Sequence, residues 1–126
     1  MTEPCFLFDS NCCIYLIEGL SEPLRERTEQ YAPGEIVTSA VAYAEVAIGI
    51  DRTDPSSLRN FLRFFEIIPV LPFDRSVGDA YGSLPFARRR FDRLIAAHAL
   101  VLGLTLVTNN ERDFQDVAGL KIENWV

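Results

Sequence analysis

Short apolar runs, each followed within a few residues by a helix signal, recur along the chain and leave little choice of architecture. The run Cys5-Phe6-Leu7-Phe8 has no polar alternation, which is the pattern of a strand buried on both faces. Asp9 or Ser10 can cap a helix through "NCCIYLIEG" that stops at Gly19. "SEPLRERTEQY" predicts a more exposed helix, capped by Ser21 with Pro23 in its first turn. "EIVTS" is a second strand, and Thr38 or Ser39 caps a helix over "AVAYAEVAIGI". Asp54-Pro55 pairs an N-cap with a first-turn proline ahead of Leu58, Phe61, Leu62 and Phe65, which recur at helical spacing. "IIPVLP" predicts a third strand, placed at an edge by its prolines. Asp74 then caps a helix to about Leu84, and "RFDRLIAAHALVLG" predicts the clearest helix, ended by Gly103. "LTLVT" is a fourth strand, "NNERDF" a turn with a short helix, and "LKIENWV" a final strand. Such alternation implies an α/β fold around a mainly parallel sheet, here a single domain over residues 1–126.

Charge and composition limit what such a fold can do. The net charge is −6, carried against eleven arginines and one lysine, Lys121. An acidic chain does not hold nucleic acid by a general field, so a polyanion must meet a local basic patch or bound cations. Cys5, Cys12 and Cys13 are odd in number and two are adjacent, which fits reduced core thiols better than a disulfide framework or a CxxC motif. No apolar run approaches a membrane span and the N-terminus lacks signal-peptide features, so a cytoplasmic protein with no membrane partner is expected.

Four acidic residues lack an obvious structural role. Asp9 directly follows the first strand, and Asp113 lies in the turn region after the fourth, so both belong at the carboxyl edge of the sheet, where ligands of such folds collect. Glu45 is surrounded in sequence by Ala44, Val46, Ala47 and Ile48. Asp92 opens a helix and shares its expected buried face with Ile95, Ala96 and Ala99. Taken singly, each acid also reads as an N-cap, a first-turn acid or a solvated residue. Gathered in one pocket they repel one another unless a cation joins them, and Mg²⁺ or Mn²⁺ suits carboxylates without histidine. The economical reading is a divalent-metal site.

Four segments in order, "FLFDSNCCIYLIEG", "TSAVAYAEVAIGI", "FDRLIAAHALVLGLTLVTNNERDF" and "GLKIENWV", resemble the PIN domain family, and closely the VapC group of bacterial toxin ribonucleases. The resemblance implies a three-layer fold, with the sheet flanked by helices, and a Mg²⁺- or Mn²⁺-dependent endoribonuclease. Such an enzyme is the toxin of a toxin–antitoxin pair, with RNA as substrate, a cognate antitoxin as partner and a homodimer as assembly. The family's acidic positions fall on Asp9, Glu45, Asp92 and Asp113, the first three as metal ligands and Asp113 on a second ion or through water. Ser10, Asn11, Thr108 and Asn110 match residues that support the metal and its loops. Ser10 stands where the family has Thr and keeps the hydroxyl. The stretch from Tyr81 to Asp92 is shorter than in the group and carries "FARRR".

Arg88, Arg89 and Arg90 precede the Asp92 helix and Arg93 falls in its first turn, where the macrodipole disfavours cations. They read either as solvated charge or as a clamp for RNA phosphate. Phe64 lies off the stripe of Leu58, Phe61, Leu62 and Phe65, so this helix is apolar on more than one side and offers a partner or dimer surface. His98 lies off the face of Asp92 and reads as a packed helix residue, and Trp125 as core or edge packing. Alternatives remain. A phosphate-accepting receiver domain has the same size, but it needs an acidic pair after the first strand and a lysine after the fifth. A PIN-like nuclease in RNA processing, or an inactive module binding RNA or protein, would share the fold.

Overall fold

The structure is a computed structural model that describes residues 2–84 and 91–126. Five strands form one sheet in the order β3-β2-β1-β4-β5: β1 (Phe6–Phe8), β2 (Ile36–Ser39), β3 (Val70–Leu71), β4 (Thr105–Val107) and β5 (Ile122–Glu123). Every pairing is parallel, with Leu7 opposite Val37 on one side and Leu106 on the other. The helices are α1 (Ser10–Glu18), α2 (Glu22–Thr28), α3 (Ala40–Ile48), α4 (Pro55–Ile67), α5 (Arg75–Ser83) and α6 (Phe91–Leu102), with a 3₁₀ turn at Glu111–Phe114. Strand order grows outward from β1 in one direction and then resumes at β4 on its other side. The crevice at the carboxyl ends of β1 and β4 is therefore the topological switch point.

The pleat explains why the strands carry no polar alternation. Leu7, Val37 and Leu106 enter one core with Ile95, Ala96, Ala99 and Phe114. Their neighbours Phe8, Ile36 and Val107 enter the other with Cys12, Leu24, Val46, Phe61 and Trp125. A sheet with apolar cores on both faces is the three-layer arrangement, and it places the tips of the central strands between two packed helical layers.

The capping residues fall where the sequence puts them. Asp9, Ser21, Ser39, Asp54 and Asp74 each accept a hydrogen bond from the first turn of the helix that follows. Gly19 ends α1 with φ of 67°, a left-handed turn that a side chain would strain. The edge position of β3 is as its prolines imply. Trp125 is buried and stacked on Tyr31 at 5.4 Å.

Three expectations change. The last strand is only two residues long, since Trp125 packs its ring on Tyr31 and Phe6 instead of extending the ladder. Cys5 is exposed while Cys12 and Cys13 are buried. On α4 the apolar faces are allotted differently: Phe61 is 1% exposed, and Phe64 and Phe65 pack edge to face beside it with Leu58 in the same core. Phe61 is thus core and not partner surface, while Leu62 and Ile67 are the large apolar α4 side chains that face solvent. Phe61→Ala should destabilise the fold by about 3–5 kcal/mol and Leu62→Ala by far less, as denaturant unfolding would measure. Equal effects would contradict this allotment.

Candidate metal centre

Asp9 emerges at the switch point because β1 ends there and α1 begins. Its backbone N–H donates to the Val107 carbonyl at 3.1 Å, locking β1 to β4. Its Oδ1 accepts from the Cys12 N–H at 2.8 Å, so Asp9 is the N-cap of α1. Cap and site are not alternatives, because a carboxylate has two oxygens. Asp9 also takes a hydrogen bond from the Thr108 hydroxyl, whose own oxygen accepts from the Asn110 N–H at 3.1 Å. Burial raises the Asp9 carboxyl above its ordinary range, opposed by the bonds from Thr108 and Cys12.

Glu45 reaches the same place from α3. Burial comes first among the causes that raise its carboxyl, the Ser10 hydroxyl partly offsets this by hydrogen bonding, and the charges of Asp9 and Asp92 raise it further. Three elements, α1, α3 and α6, therefore bring Asp9, Glu45 and Asp92 within electrostatic reach of one another. Glu45 Oε1 and Asp92 Oδ1 are buried and have no hydrogen-bond partner among the described residues. Buried carboxylate oxygens without donors cost free energy that a bound cation would recover.

Among the described residues no group of three His, Cys, Asp or Glu closes into a ready metal cage. Asp9, Glu45 and Asp92 offer oxygen donors without histidine or cysteine, a set whose chemistry suits a hard divalent cation.

The remaining expected residues divide. Ser10 hydrogen-bonds to Glu45 and Thr108 to Asp9. Asn11 is exposed. Asn110 donates to Asp113 at 2.5 Å, and the charges felt by Glu45 are those of Asp9 and Asp92, so Asp113 is tied to its own turn. Arg93 departs from the clamp expectation: it is 4% exposed, pairs with Asp116 at 2.8 Å and lies over the Phe114 ring. A guanidinium so enclosed anchors the turn after β4 to α6 and does not present itself to RNA. Arg88, Arg89 and Arg90 lie outside the described residues. His98 is packed as expected, 1% exposed and 2.8 Å from Ser39 Oγ. Asn109 escaped the sequence reading. Its amide donates to the Tyr15 hydroxyl at 3.1 Å while its Oδ1 is buried and unpartnered, and the doubled Asn after Thr108 was the available signal.

An acidic crevice at the switch point of a three-layer parallel fold, built from acids after β1, on α3 and at the head of α6, is the arrangement of a PIN nuclease. The PIN domain family matches residues 6–120. The tRNA(fMet)-specific endonuclease VapC of Shigella flexneri is 32% identical over 95% of this chain and 97% of its own length. Ribonuclease VapC2 of Rickettsia felis is 30% identical with the same coverage. The solved structure of VapBC2 from Rickettsia felis, bound to a promoter DNA fragment, superposes with a TM-score of 0.86 at 25% identity, covering 97% of this chain and 99% of that one. VapBC from Salmonella typhimurium, also DNA-bound, gives 0.84 at 28% identity, covering 98% and 99%. The chain belongs to the PIN domain family, and within it to the VapC group. PIN nucleases are metal-dependent hydrolases.

A buried acid with a raised folded-state pKa has a defined effect on stability. The folded protein holds the Asp9 proton more tightly than the unfolded chain, so metal-free stability is lost as pH rises through the raised value and is regained below the ordinary 3.8. Asn caps a helix as well as Asp does. Asp9→Asn should therefore be at least as stable as wild type at neutral pH without metal, with the difference shrinking as pH falls towards about 4. Mg²⁺ should raise the Tm of wild type and leave that of the variant unchanged. A variant markedly less stable than wild type at neutral pH would mean that the Asp9 charge is satisfied by the protein alone.

Proposed function

We propose that the chain is a Mg²⁺- or Mn²⁺-dependent endoribonuclease that acts in the cytoplasm as the toxin of a toxin–antitoxin pair. The observation that carries this reading is the joining of Asp9, Glu45 and Asp92 around buried oxygens that lack donors. In this reading the three carboxylates hold the cation, Ser10 and Thr108 orient Glu45 and Asp9, and Asp113 acts through water or at a second ion. When bound, a divalent cation supplies positive charge beside the scissile phosphate and an oriented water. The crevice is otherwise anionic, so the protein itself contributes exclusion of competing water and fixed ligand geometry, while substrate attraction falls to the cation and to basic residues nearby.

The name of the Shigella flexneri relative makes tRNA(fMet) the first substrate to test. The VapBC structures support a cognate antitoxin as the partner, and the family resemblance suggests a homodimer as the assembly. Exposed apolar residues on α3, α4 and the start of α6, among them Ile48, Ile67 and Phe91, are open to such contacts.

Asp92→Asn should reduce Mg²⁺-dependent cleavage of tRNA(fMet) by roughly a hundredfold or more while circular dichroism stays native. Chelator should do the same to wild type. Cleavage by the folded variant at the wild-type rate would remove Asp92 from the metal. With Arg93 enclosed, Arg88, Arg89 and Arg90 are the proposed phosphate contacts. Replacing all three with alanine should weaken RNA binding and flatten its salt dependence by about 0.7 log units per lost contact for a single strand. An unchanged slope would leave substrate attraction to the cation.

A further inference from the structure

A buried hydrogen bond ties the N-terminus of α3 to the middle of α6. His98 Nδ1 lies 2.8 Å from Ser39 Oγ, and the two residues are 1% and 0% exposed. Ser39 is itself the cap of α3, accepting from the Val41 N–H at 3.1 Å. The imidazole is held a second time, with Phe73 edge-on at 5.6 Å. Burial lowers the His98 pKa and the charge of Asp74 opposes this, so the ring is neutral and offers one donor and one acceptor, either of which suits a hydroxyl.

The placement of this bond along the two helices is what gives it a use. Glu45 lies six residues beyond Ser39 on α3, and Asp92 lies six residues before His98 on α6. At the helical rise each interval spans about 9 Å. Ser39 meets His98 directly, while Glu45 feels the charge of Asp92 nearer the other end of the same packed pair, so α3 and α6 pass in opposite senses. At the acidic end one buried oxygen of each carboxylate finds no hydrogen-bond partner among the described residues. The His98–Ser39 bond is the side-chain link that holds the two helices together.

We propose that the His98–Ser39 hydrogen bond is a register lock that sets the separation of Glu45 and Asp92, making His98 a positioning residue for the divalent-cation site. The proposal rests on the reading that these acids bind metal. Octahedral Mg²⁺ at 2.0–2.1 Å tolerates little error in oxygen placement, and a slide of α3 along α6 by about an ångström is enough to lose it. Ala96, Ala97 and Ala99 are small and buried, so within the buried stretch of α6 His98 is the side chain that supplies a directional bond to α3.

Four full-length proteins decide the matter: wild type, His98→Leu, His98→Asn and His98→Gln. Asn places an amide where Nδ1 stood, whereas Gln reaches the position of Nε2. Mn²⁺ affinity is read by electron paramagnetic resonance, together with kcat and KM for RNA. His98→Leu should bind Mn²⁺ roughly tenfold more weakly and lose kcat at unchanged KM. Asn should restore most of both, and Gln should not. Should His98→Leu fail to fold, the Asn and Gln pair still separates a bond at Nδ1 from mere polarity. Wild-type Mn²⁺ affinity in folded His98→Leu, or equal loss in Asn and Gln, overturns the register lock and leaves the metal reading intact. A wild-type protein that binds no Mn²⁺ overturns both.

Discussion

Three carboxylates drawn together at the carboxyl edge of the sheet, Asp9 buried and Glu45 and Asp92 half-buried, are the constraint on which the rest of this structure depends. Burial raises the carboxyls of Asp9 and Glu45 above their ordinary range, and the charges of Asp9 and Asp92 raise Glu45 further. Among the described residues no ion pair to an arginine or lysine neutralises them: the one buried guanidinium there, Arg93, is paired with Asp116. A chain that keeps such a group at neutral pH gives up stability at the site, and a cation is the partner that returns it.

The fold meets this constraint by building the crevice from elements that are fixed independently of it. Asp9 is pinned by the β1–β4 ladder and by its own capping bond, so its free lone pairs are aimed before any ligand arrives. Thr108 relays the turn after β4 onto the same carboxylate, and Ser10 steadies Glu45 from the first turn of α1. Aromatic packing of Phe61, Tyr43 and Phe65 braces the opposite layer, in which α3 is seated. Preorganisation of this kind is what an ion with strict geometry requires.

Much of this was legible in the residues. Short apolar strands, five caps and the acids after the first strand, on α3 and at the head of α6 all follow from spacing and from local chemistry. Arg93 was misread because its position in a first turn gives no hint of Asp116, twenty-three positions on, which closes over it. Phe61 and Leu62 are neighbours of equal hydrophobicity, and only the tertiary path of α4 decides which one is core. Asp113 is held in its turn by a local bond to Asn110, apart from the charges that Glu45 feels, which the spacing of the sequence does not reveal. Asp9 posed a false choice between cap and ligand, since sequence cannot assign the two oxygens of one carboxylate to different tasks. The His98–Ser39 contact joins residues fifty-nine positions apart and has no sequence signature.

The central claim is that Asp9, Glu45 and Asp92 share one divalent cation. Crystals grown in Mn²⁺, with anomalous difference density collected at the manganese edge, test it without relying on substrate or turnover. A peak in the crevice within direct or one-water reach of Asp9, Glu45 and Asp92, with an oxygen of Glu45 or Asp92 turned towards it, is the predicted result. No peak there in crystals of a protein whose RNA cleavage requires Mn²⁺, or a peak held by other residues, would contradict it.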